Sequence, residues 1–318
     1  MNSIQRVVGW FDSYQRRHKY VGFPVAVIKK YGDDQAGQQA ALLTYYAFLA
    51  LFPLLLILTT VLKVLIRDNP DLRDKIVSQA TNYFPLVGND LQQNVHSFGS
   101  TGWILAIGIL LTLFGARGIA DILRNGVNHI WQIPHTNRSG FPHGLLKSIA
   151  MLLVGAAGLI LAPVVSGYAV SIGGHGWLPA IAGLLITVAI LYLMFLTLVR
   201  IALPTKVLLR DLRPAAVIST LGMVSVQQLG TLLLKHQLQR FDNLYGVFAV
   251  VLGLLFYIYL QAQVFFYAIE TASVRALRLW PRAIDQAHMT TQDKKALRLY
   301  AERNTYSRDS AVSVKFKD

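Results

Sequence analysis

Ser148–Val199, SIAMLLVGAAGLILAPVVSGYAVSIGGHGWLPAIAGLLITVAILYLMFLTLV, runs 52 residues without an aspartate, glutamate, lysine or arginine. A helix needs about 20 apolar residues to cross a hydrocarbon core about 30 Å thick, so this stretch is long enough for two crossings. Gly173-Gly174-His175-Gly176-Trp177-Leu178-Pro179 divides it, and a glycine and proline cluster of that kind reads as a turn. Two apolar helices joined by a short turn set the fold class: an all-α protein whose solvent is lipid.

Outward from this pair, Ala41–Leu62, Pro214–Leu234 and Asn243–Ile269 are also free of charge, and Trp103–Ala116 is a shorter such stretch ended by Arg117. These give a polytopic protein with six expected spans, at about 41–64, 102–123, 147–171, 177–201, 214–235 and 245–270, inside a membrane domain of residues 40–280. Residues 1–39 mix basic and aromatic side chains, the pattern of a helix lying in the membrane interface. Residues 67–101 alternate acidic, basic and apolar groups around Phe84-Pro85, which predicts one or two short amphipathic helices at the outer mouth. Residues 281–318 read as a basic, polar and mobile tail with one helical stretch near Lys294 to Arg303.

The chain carries a net charge of +14, a surplus that in a soluble protein would point to nucleic acid. Its placement says otherwise. Of the lysines and arginines, 22 fall in residues 1–40, 124–144, 200–213 and beyond 270, whereas the alternate connections hold five. By the positive-inside rule that split puts both termini in the cytoplasm, and the same charges attract anionic headgroups. Membrane lipids, anionic ones included, are therefore the expected partners, and nucleic acid is not. No short apolar core with a small-residue cleavage site precedes the first span, so it is expected to stay uncleaved. The absence of cysteine excludes disulfides, thiolate metal sites and cysteine nucleophiles.

Several segments carry a resemblance together: Ala41-Leu42-Leu43-Thr44-Tyr45-Tyr46-Ala47-Phe48-Leu49-Ala50-Leu51-Phe52-Pro53, Asp121-Ile122-Leu123-Arg124-Asn125-Gly126-Val127-Asn128-His129-Ile130-Trp131, Leu244-Tyr245-Gly246-Val247-Phe248-Ala249 and Ala268-Ile269-Glu270. With Tyr83-Phe84-Pro85 and Leu203-Pro204-Thr205, they resemble the YihY/BrkB family of bacterial inner-membrane proteins from about residue 20 to 280. That resemblance implies an inner-membrane location and a role in lipid or envelope-related transport. The family's older ribonuclease BN label and its association with serum resistance name no mechanism, and no catalytic residues carry over.

Site candidates come from polar groups placed in apolar spans, where an ionisable group costs about 2.5–3.5 kcal/mol at mid-helix. Arg117 and Asp121 stand i, i+4 near the cytoplasmic end of the second span, and Asn125 continues their face. Glu270 lies at similar depth on the sixth span with Gln263 at i−7 on its face, two helical turns above, and an Arg117–Glu270 contact across a helix interface is expected. Gln227 and Gln228 are adjacent amides at mid-membrane depth, where amides face the bundle interior. These seven residues form the expected substrate-binding set. The competing reading makes them an ion pair and helix glue. Gly115 with Gly118, and Gly155 with Gly158, read as close-packing positions, and Tyr45 and Tyr46 as part of an aromatic belt.

No catalytic residue, cofactor or metal is expected. The spacings of His129, His135 and His143 fit no helical ligand pair, and P-loop, GxGxxG, GxSxG and HExxH motifs do not occur. The sequence therefore predicts a six-helix membrane protein, not an enzyme, that handles a lipid or an anionic envelope substrate without its own ATPase. The alternative is a structural or scaffold protein of the envelope with a solid core. Six spans suit either a monomeric carrier or the protomer of an oligomer.

Overall fold

A computed structural model describes residues 3–65, 102–173, 177–204, 206–241, 246–284, 289–307, 309–310 and 312–316. The expected amphipathic helices of 67–101 and the Tyr83-Phe84-Pro85 motif lie outside them. All the regular structure among the described residues is helical: α1 Ser3–Arg17, α2 Lys19–Asp33, α3 Ala36–Leu65, α4 Gly102–Ile130, α5 His143–Gly173, α6 Trp177–Ala202, α7 Leu209–Phe241, α8 Gly246–Leu277 and α9 Thr291–Arg303, with a 3-10 turn at His135–Asn137.

Helices α3 to α8 coincide with the apolar stretches but run past them, because backbone hydrogen bonding does not stop where the apolar residues do. Among the described residues, three helical segments, His143–Tyr168, Trp177–Ala202 and Val251–Leu277, are long and apolar enough to cross a membrane. Their outer faces are apolar too: Leu153, Ile160, Leu185, Leu193, Leu252 and Phe256 are exposed. Aliphatic side chains turned outward on this scale mark a lipid-facing body.

The six long helices pack in sequence order, α3 on α4, α5 on α6, α6 on α7 and α7 on α8, and α8 returns to α3. Small residues permit the close approaches. A Cβ on Gly118 would stand 2.1 Å from a ring carbon of Tyr46, and one on Gly115 2.7 Å from the Ala50 Cβ, so both seat α4 on α3. Gly158 meets Met194 in the same way, whereas Gly155 faces open space and has no packing role. Helix α5 continues through Pro163, and the Ser166 hydroxyl donates to the Pro163 carbonyl at 3.2 Å. The main core joins Leu43, Val127, Leu198, Leu212, Phe266 and Ile269 from five helices.

Helices α4, α6 and α8 end close together. The last carbonyls of a helix have no partner within it, and here other elements supply one. Asn128 of α4 donates to the Ala202 carbonyl at 2.9 Å, Lys30 and Ser273 donate to that of Ile130 at 2.7 and 3.0 Å, and Lys295 donates to that of Leu277 at 2.6 Å. Lysine ammonium groups at these ends also oppose the negative pole of the helix dipole.

The segment expected to trail away as a mobile tail instead folds back. Helix α9 opens with a capping box, in which Thr290 and Asp293 satisfy each other's amides. Ala296 packs with Ala26, Val27, Val274 and Leu279 of the α2–α8 seam.

Candidate functional site

Helix α2 brings Lys30 into the seam between α4 and α8, where its side chain is fully buried. Its ammonium donates to Asp34 Oδ2 at 2.5 Å, to the Ile130 carbonyl at 2.7 Å and to Glu270 Oε2 at 2.8 Å, which uses all three protons. Asp34 then links outward. It accepts from Gln132 Nε2 at 2.9 Å and from the Arg303 guanidinium at 2.8 Å, and Arg303 also donates to Gln132 Oε1 at 3.0 Å. One connected set of charges thus ties α2, α4, α8 and α9 together at the gathered helix ends.

The backbone is shaped for this. Gln35 and Gln132 have φ values of 52° and 55°, in the left-handed region that favours glycine. Gln132 follows α4 in a Schellman motif, with the Ile133 amide on the Asn128 carbonyl and its own on that of His129. A glycine there would relieve strain but could not bridge Asp34 to Arg303.

Among the described residues, Glu270 Oε1 and the Tyr31 hydroxyl in the seam have no hydrogen-bond partner. Tyr31 stacks on Tyr267 with ring centroids 3.8 Å apart. Burial, with Tyr267, Tyr259 and Glu270 nearby, pushes its phenol above the usual range. His129 stands 3.9 Å from Asp34. Burial, then Arg303, lower its pKa to about 4 against the opposing pull of Asp34, so the imidazole is neutral at pH 7.

The expected site residues divide. Glu270 is buried and charge-paired, but with Lys30; the expected Arg117–Glu270 contact is replaced, because α2 occupies the seam that Glu270 faces. The Arg117 side chain is 70% exposed and lies 3.6 Å from Asp121. Asp121 also accepts from Ser148 at 2.9 Å and faces Arg124 at 3.3 Å, making a separate α4–α5 cluster. Asn125 is exposed; it is Asn128, one helical turn on, that is buried and bonded. Gln263 and Gln227 are half-buried, and Gln228 is exposed, so only one of the adjacent amides turns inward. The three loop histidines have different surroundings: His129 beside Asp34, His135 stacked on Tyr306, and His143 at the start of α5.

Lys30, Asp34, Gln132 and Arg303 were not among the residues expected from sequence. The available signal was the i, i+4 spacing of Lys30 and Asp34 after the apolar run Val25-Ala26-Val27-Ile28. Nothing local separates Lys30 from Lys29, which reaches Asp293 instead, at 3.3 Å.

The family model described as Virulence factor BrkB matches residues 27–291, from within α2 to the first residue of α9. The chain belongs to the BrkB family. A UPF0761 membrane protein of Alcanivorax borkumensis is 27% identical over 254 residues, which cover 75% of this chain and 57% of the relative. The chain thus spans a little over half the length of that curated relative. No solved structure matches it. This BrkB-family chain is a membrane protein, and the matched region holds Lys30, Asp34, Gln132 and Glu270 while Arg303 lies beyond it.

Proposed function

We propose that this BrkB-family protein crosses the bacterial inner membrane six times, with both termini cytoplasmic, and moves a lipid or anionic envelope substrate without an ATPase of its own. The observation that carries this reading is the Lys30–Glu270 pair, fully buried at 2.8 Å, with one Glu270 oxygen unmatched. Well-packed apolar residues of similar volume would serve stability as well as or better than a buried ion pair. Ionisable groups buried at the end of a membrane bundle, where stability does not require them, support a coupling site.

The scaffold alternative also rests on a specific observation: the same charges are chained through Asp34 to Arg303 and hold four helices together. Mass spectrometry of lipids and metabolites retained by protein extracted in native nanodiscs separates the two. Transport predicts a species enriched over bulk lipid by wild type and lost in a folded Glu270→Gln variant. Bulk lipid alone in both favours the scaffold.

A further inference from the structure

Beside the buried seam, a cavity of about 410 Å³ opens between α1, the start of α2 and the chain leaving α8. Arg16, Arg17, Lys19 and Arg278 line it together with Trp280, and among the described residues no carboxylate does. Its walls are fixed. Gly22 lets α2 approach α1 so closely that a Cβ there would stand 2.6 Å from the Gln15 carbonyl oxygen. Gln15, fully buried, donates to the Arg282 carbonyl at 2.6 Å, and Trp280 packs edge-on against Phe23 at 5.5 Å. Asp12 pairs with Arg16 and accepts the Ile284 amide at 2.8 Å, which ties α1 to the same returning chain.

Arg278 supplies a second, independent observation. It is the left-handed residue of the Schellman motif that ends α8, with φ at 51°, the Leu279 amide on the Val274 carbonyl and its own amide on that of Arg275. Glycine is the favoured residue at this position, and a side chain there is strained. The left-handed turn thus places the Arg278 side chain on the wall of the basic cavity, where it joins Arg16, Arg17 and Lys19.

The same two helices identify its source. Trp10 and Tyr20 are 67% and 96% exposed, and Phe11 and Tyr14 are exposed as well. Aromatic rings beside basic side chains are the signature of a helix seated at the headgroup level.

We propose that this cavity binds the phosphate of an anionic phospholipid headgroup. The assignment is independent of whether the bundle transports anything. It is tested with the full chain in nanodiscs of phosphatidylcholine containing a minor fraction of phosphatidylglycerol, counting retained lipids by native mass spectrometry. Wild type retains phosphatidylglycerol in excess of its bulk fraction, and Arg278→Gly lowers that excess roughly fivefold, the effect of one basic residue near a charged surface, while its melting temperature holds or rises because strain is relieved. Arg17→Gln with Lys19→Gln, on an exposed surface, gives a larger loss. A second arm titrates inorganic phosphate and glycerol 3-phosphate into uncharged nanodiscs. Saturation by these without phosphatidylglycerol enrichment would assign the cavity to a soluble ligand and overturn the lipid assignment. Equal retention of the two lipids, or an excess that neither variant changes, would overturn it also.

Discussion

Lys30 is the residue whose removal tests the seam most sharply. In Lys30→Met the Glu270 carboxylate stays buried without its cation, so unfolding free energy falls by about 3–5 kcal/mol, measured by thermal or denaturant unfolding in a fixed detergent. Adding Glu270→Met recovers part of that loss, since Asp34 keeps Arg303 and Gln132; a double variant no more stable than the single one would sink the pairing. Glu270 was legible in the sequence as a charge on an apolar span, yet its partner was not. Lys30 lies 240 residues away among interfacial lysines, and only the packing of α2 on α8 singles it out. His129 adds a pH dependence. Its pKa is lowered from 6.5 to about 4 on folding, so protonation favours the unfolded chain. Between about pH 6.5 and 4 stability therefore falls as pH falls, and His129→Gln flattens that part of the curve. An unchanged slope would show that His129 is not held neutral beside Asp34, Arg303, Arg138 and Lys30.

At the scale of elements, the α3–α4 contact depends on Gly118. Gly118→Ala drives a methyl group into Tyr46 and lowers stability by about 1–3 kcal/mol. Gly155→Ala, facing open space, is neutral or stabilises by up to about 1 kcal/mol. Unfolding in the same detergent compares the two, and equal effects would contradict the packing. The long helices were legible because a span needs a minimum apolar length, a constraint written in consecutive residues. The helical stretch of α9 was legible near Lys294 to Arg303, but its docking was not, because its polar composition reads as solvated and Ala26, Val27 and Asp34, which it meets, are distant in sequence. Burial alone would raise the Asp293 carboxyl, but hydrogen bonds from Thr290, the Ala283 amide and Arg282 hold it well below the usual carboxylate range. Its stabilising effect is complete above the ordinary aspartate pKa and is lost only as pH falls through the lowered value. Asp293→Ala removes these bonds, and limited proteolysis is expected to cut within 291–303 faster than in wild type.

At the scale of the molecule, the charge count and the gathered ends of α4, α6 and α8 describe one basic face. The native chain has no cysteine, so single cysteines report topology without a background. Trp10→Cys and Tyr306→Cys should react with an impermeant thiol reagent only after cells are opened, and Gly173→Cys should react in intact cells. Labelling of all three from one side would refute the six-span arrangement. The composition exposed a lipid-facing body from its longest charge-free run, but not how the gathered helix ends close, since that depends on Arg303 reaching Asp34 across 269 residues. On the proposed function, the body moves an amphipathic anion. The most direct measurement is translocation of fluorescent phosphatidylglycerol across sealed proteoliposomes, read as the fraction of label exposed to an impermeant quencher. Wild type should raise that fraction above the one-leaflet value within minutes, and folded Glu270→Gln should not. Protein-containing vesicles that stay at the one-leaflet value for this and other anionic lipids would contradict the claim and leave the buried charges as a lock between helices.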